Sequence, residues 1–205
     1  MTWRIFSFVY LFFLKHYCNE MNQTDILILV IVGVLCLFYI QKRLNEVRYV
    51  KATEDGRMYL VQNKKGKETA ANKLARLNRK IEKLIKHLQK KKLSKRLEEK
   101  YHSDSLSEGT GDNDYTAYTV NKGERMVFCL RSKKTGKFVT DMVLTYVAIH
   151  ELAHIYTDDI GHTPEFWKNM KFLLKESIEL GIYKKIDFAK NPVEYCGINI
   201  KSSII

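Results

Sequence analysis

Cysteine is sparse in this 205-residue chain: Cys18, Cys36, Cys129 and Cys196 are scattered, and no CxxC pair occurs. That spacing excludes a cysteine-built zinc site and a small disulfide framework. Reduced thiols in a cytosolic compartment are the expectation. Negative charge is scarce in one stretch. Residues 42–100 hold 20 Lys and Arg against 7 Asp and Glu, while 1–41 balance 2 against 2 and 101–205 hold 13 against 14. The formal charge of +12 therefore sits in the middle third. The chain reads as an apolar start, a basic middle and a balanced end.

The apolar start contains two runs. Ile5 to Leu14 is too short to span a bilayer as a helix, and no small-residue cleavage site follows it. Met21 is an alternative start, so residues 1–20 read as an extension or an interfacial anchor. The second run, Ile26 to Ile40, carries no charge and is apolar on every face. With polar ends it reaches the lower length limit, so 24–41 is expected to be a transmembrane helix rather than a buried core helix. Lys42, Arg43, Arg48 and Lys51 follow it and no basic residue lies between Asn22 and Asp25, which places the rest of the chain on the cytosolic side.

In the basic middle, Ala70, Leu74, Leu77, Ile81, Leu84 and Leu88 fall at steps of four and three, with no Gly or Pro between. This predicts a basic amphipathic helix, either a solvated helix packing its stripe on the following domain or a binding element. Of the binding roles, the neighbouring span favours anionic lipid over nucleic acid phosphates. Residues 102–114, rich in Gly, Ser and Asp, read as a linker. The expected parts are an extension (1–23), the span (24–41), a basic helical linker (42–100), a flexible linker (101–114) and a domain (115–205).

In that domain, Thr116–Val120 and Met126–Leu130 flank Asn121-Lys122-Gly123-Glu124, a hairpin pattern. Asp141 suits the N-cap of a helix over Met142–Tyr156. On it lies His150-Glu151-Leu152-Ala153-His154. Residues four apart share one helix face, so both imidazoles can reach one metal ion at about 2.0–2.1 Å. Glu151 projects beside them, placed to act as base toward a water whose pKa the metal lowers. His16, His87 and His102 are isolated, whereas His162 follows the turn at Gly161. His162 is the preferred third ligand, with Asp158, Asp159, Glu176 and Glu179 as rivals. Thr163-Pro164-Glu165 then opens a second helix, with Phe166, Met170, Leu173, Leu174 and Ser177 on its inner face and Gly181 closing it. Asn191–Ile200 reads as a turn into a short strand, where Tyr195 is either a core tyrosine or an oxyanion donor.

The HExxH pentapeptide with Gly161-His162-Thr163-Pro164-Glu165-Phe166-Trp167 resembles the WLM and SprT-like (Spartan-type) zinc metallopeptidases. The resemblance is specific over about 142–174, extends over about 115–197, and does not reach the first hundred residues. It implies an α+β, minimal zincin-like domain, a small β-sheet on two helices, holding Zn2+ through three histidines. It further implies that Met126–Leu130 is the edge strand along which a peptide lies. Such families include proteases of proteins crosslinked to DNA, whose DNA-binding and partner-binding appendages are not recognisable here.

The expectation is thus a single-pass, membrane-anchored zinc metalloprotease acting on protein or peptide, with Glu151 as general base. One alternative is a DNA-associated protease of the crosslink-repair type using 69–100. Another is a non-enzymatic zinc-containing membrane tether, which would have no need of Glu151.

Overall fold

A computed structural model describes residues 22–110 and 116–205. The chain divides into two compact units, Met1–Asn45 and Glu46–Ile205. In the first, helix α1 (Gln23–Leu44) contains the apolar run. Its segment Gln23–Lys42 is long and apolar enough to cross a membrane, and none of it is buried. The expected anchor over 1–20 lies outside the described residues.

The second unit is a mixed α+β fold. Strand β1 (Val47–Lys51) pairs antiparallel with β2 (Met58–Gln62), and helix α2 (Lys67–Lys90) crosses to a short helix α3 (Lys95–Lys100) and strand β3 (Leu106–Glu108). Strand β3 runs parallel to β2 and to β5 (Arg125–Phe128), which pairs antiparallel with β4 (Ala117–Val120). The order is β1-β2-β3-β5-β4, so β4 is an edge. Helices α4 (Asp141–Tyr156) and α5 (Pro164–Glu179) follow, then a hairpin of β6 (Val193–Tyr195) and β7 (Ile198–Ile200).

The leucine stripe of the basic helix is the floor of this fold. Ala70, Leu74, Leu77, Ile81, Leu84 and Leu88 are all at most 2% exposed, and α2 packs on β1, β2, β3 and α4. Burying each large aliphatic side chain contributes about 1.5–3 kcal/mol, so the stripe belongs to the core and is not a free binding arm. This corrects the expected boundaries. Residues 42–100 are not a linker, because β1, β2, α2 and α3 are part of the unit. Nor is 101–114 a flexible connection throughout. Glu108 on β3 is buried, accepts from the Gln62 N–H at 2.8 Å and pairs with Arg131 at 2.9 Å. Gly, Ser and Asp composition signalled a loop there, whereas three strand residues joined by a buried ion pair complete the sheet. Residues 111–115 lie outside the described residues.

Three further differences concern the last hundred residues. Thr140, not Asp141, caps α4, its hydroxyl accepting from Val143 N–H. Asp141 instead pairs with Lys73 and Arg76 of α2, fastening the helix that carries HExxH to the basic helix. Met126–Leu130 is not an edge, because β5 lies between β3 and β4. Finally, Cys129 and Cys196 form a disulfide, contrary to the expectation of reduced thiols. A sequence separation of 67 hides a pair that the fold brings together, since β5 ends beside the β6–β7 turn.

Candidate metal centre

Helix α4 is buried along most of its length, so its polar residues are held by their surroundings. His150 and His154 share a face one turn apart, with ring centroids 4.9 Å from each other. Beyond α4 the chain reverses at Gly161, whose φ of +86° is accessible to glycine without cost. His162 then comes back over the helix, its ring 4.9 Å from both His150 and His154. A nitrogen of each of the three lies within 4.8 Å of the others, and the Nε2 atoms of His150 and His162 are 3.0 Å apart. Ligands on one tetrahedral zinc ion would sit about 3.3 Å apart. The donor set fits that ion.

Burial favours the neutral imidazoles that ligation requires. His150 is pushed down to about 3 by burial and by the two neighbouring histidines. His154 is pushed down to about 4 by burial, His162 and Lys122. Glu151 is 5% exposed, and burial raises its carboxyl to about 7, against a hydrogen bond from Thr119 that favours the ionised form. That bond, Thr119 Oγ1 to Glu151 Oε2 at 2.9 Å, aims the carboxylate into the cleft.

The rings rest on aromatic supports. Phe166, fully buried on α5, lies 4.3 Å from His154, 4.7 Å from His162 and 4.9 Å from His150. Trp167 stacks on His162 at 5.3 Å. Thr163 caps α5 and Pro164 starts it, as expected.

The acidic rivals for the third position are elsewhere or engaged. Asp158 pairs with Arg96, and Glu176 pairs with His87 and Lys91. Glu179 also pairs with Lys91, while Asp159 lines the cleft without joining the histidine cluster. His87 is therefore not isolated, although it lies outside this site. Tyr195 is buried, its hydroxyl donates to the Thr116 carbonyl at 3.2 Å, and burial together with the nearby Glu151 carboxylate pushes it well above the ordinary tyrosine range, so it packs in the core beside the cleft.

The cleft has a volume of about 360 Å³ and is lined by Ala117, Tyr118 and Thr119 of β4 opposite the histidines. Cys129 N–H donates to Thr116 O at 2.9 Å. Alternation along an antiparallel pair then directs the peptide groups of Ala117 and Thr119 away from β5, toward the open edge. Thr119 and Lys122 are the functional neighbours that sequence reasoning missed. The only signal for them was their place in the predicted hairpin.

The model of the WLM domain matches residues 53–198. The chain is 35% identical over 189 residues to uncharacterized protein R325 of Acanthamoeba polyphaga mimivirus, covering 88% of this chain and 96% of that one. It is also 35% identical over 83 residues to uncharacterized protein 136R of Invertebrate iridescent virus 6, covering 39% of this chain and 44% of that one. Among solved structures, Wss1 from Saccharomyces cerevisiae aligns with a TM-score of 0.45 at 22% identity, covering 60% of this chain and 88% of that one.

Proposed function

The chain belongs to the WLM family, which is zinc-associated and metalloprotease-like, and from that premise we propose a membrane-anchored zinc peptidase. His150, His154 and His162 hold the metal and Glu151 is the general base. One juxtaposition carries this reading: three imidazoles converge beside a buried carboxylate, along an open strand edge. Zinc bound there would polarise a peptide carbonyl and acidify a water.

Glu151 performs the proton transfers. Held by Thr119 and raised to about 7, it takes the proton of the attacking water and returns it to the departing amine. The peptide substrate lies along β4, accepting from the outward N–H groups of Ala117 and Thr119 and donating to their carbonyls, as in strand addition. Helix α1 anchors the protein. The basic residues after it favour the cytosolic side for the domain.

Metal content and turnover of the full chain in detergent test this. Wild type and Glu151→Gln should each hold about one zinc per chain, and His154→Ala should lose it. Cleavage of an unfolded protein substrate should fall by about 10²–10⁴ in Glu151→Gln. A folded wild type without zinc would overturn the reading.

A further inference from the structure

His162 is delivered by a loop with no regular secondary structure between α4 and α5, so something must fix that loop. The side chain of Lys122 reaches it from the β4–β5 turn. Its ammonium donates to three consecutive carbonyls, Thr157 at 2.8 Å, Asp158 at 2.7 Å and Asp159 at 2.9 Å. An ammonium has three donors and no acceptor, so this cradle saturates it. Arg96 adds a second grip: its Nε donates to Ile155 O at 2.6 Å, and its guanidinium pairs with Asp158. Both cations sit at the carbonyl end of α4, where the helix dipole favours positive charge.

The backbone at Lys122 points the same way. Gly123 N–H donates to Val120 O at 3.1 Å, closing a turn whose central residues, Asn121 and Lys122, have φ of +46° and +53°. Asn-Gly is the favoured pair for such a turn, and a side chain in the left-handed region costs about 1–2 kcal/mol. A lysine stands where glycine would be cheaper. Gly123 next to it lies against the Lys100 carbonyl, which a Cβ there would overlap.

We infer that Lys122 is a positioning residue for the metal site, its ammonium organising the 157–159 carbonyls so that His162 is presented to the metal as third ligand. This rests on the zinc-site reading above. The pull on the loop is directional: three carbonyls turned toward Lys122 fix the path from the end of α4 into Gly161. Arginine, with a planar fork, does not reproduce a three-carbonyl cradle around a point charge.

The test is zinc affinity of the full chain by chelator competition, in wild type, Lys122→Gly, His162→Ala and the double variant. Lys122→Gly relieves the turn while removing the ammonium, so the metal-free protein should melt no lower than wild type. Its zinc dissociation constant should rise about 10- to 100-fold, as for other residues that orient ligands. In the His162→Ala background the same change should have no further effect, because the ligand it positions is already gone. Co2+ in place of zinc should show a visible spectrum that Lys122→Gly moves toward that of His162→Ala. Lys122→Arg should not restore affinity. Unchanged affinity in Lys122→Gly, or an equal loss in both backgrounds, would overturn the role of Lys122 while leaving the zinc site standing. A wild type without zinc would instead remove the peptidase reading itself.

Discussion

Breaking the Cys129–Cys196 disulfide should cost the domain a large share of its stability. The bond closes a sequence separation of 67 residues. In the chain-entropy treatment, a loop of that length removes about 15 cal/mol/K from the unfolded ensemble, or about 4 kcal/mol at 25 °C. For a unit the size of Glu46–Ile205, each kcal/mol moves the melting temperature by about 2–4 °C, so the expected loss is roughly 8–16 °C. The native side contributes as well. Cys196 lies in the β6–β7 turn next to Tyr195, whose hydroxyl supports Thr116 at the start of β4. Releasing the bond therefore loosens the terminal hairpin under the edge strand that faces the cleft. The assay is thermal unfolding of the full chain in detergent, comparing wild type, wild type with a phosphine reductant, and Cys196→Ser. Wild type in reductant should melt with Cys196→Ser, and reductant should not lower Cys196→Ser further. A wild type whose melting is unmoved by reductant at temperatures that expose all thiols would refute the reasoning.

Three other outcomes follow from the packing. Arg131→Met leaves the fully buried carboxylate of Glu108 with only the Gln62 N–H. Breaking a buried pair in this way should destabilise by about 3–5 kcal/mol in urea unfolding, and the loss should shrink in acid, where Glu108 is neutral. The Asp141 carboxyl is raised by burial, but hydrogen bonds from Lys73 and Arg76 outweigh that and hold it below its ordinary 3.8. A carboxylate lowered in the folded state contributes stability that is present above its unfolded value and lost as pH falls through its folded value. Wild type should therefore lose stability more steeply than Asp141→Asn below about pH 4, read as urea midpoints across pH. Thr119→Val removes the hydroxyl that donates to Glu151. Turnover should fall while zinc content stays at the wild-type level, and the acidic limb of the rate profile should move to higher pH because Glu151 loses a bond to its ionised form.

The parts of the site that were legible in the sequence are those set by local spacing. His150, Glu151 and His154 are separated by one helical turn, so the period of α4 alone determines their proximity. Thr163 and Pro164 announce the start of α5 through chemistry confined to a few residues. The leucine stripe of α2 was legible as a helix face, but its occupant was not. A period of 3.6 says which side is apolar and nothing about whether a sheet covers it. Strands β1 and β2 were missed because the charges in and between them, Arg48, Lys51 and Arg57, merge with the basic composition of the helix after them. Strand β3 was missed for the opposite reason: Glu108 is charged and fully buried, and its pairing with Arg131, 23 residues away, together with the Gln62 N–H makes that tolerable. The same logic separates His162 from its support. The histidine carries its own signal as a metal ligand next to a turn, whereas the carbonyls that Lys122 gathers belong to the backbone, which has no letter in the sequence. Residues that act through side-chain identity can be found by reading, while those that act by holding backbone in place become visible only once the fold brings the two segments together.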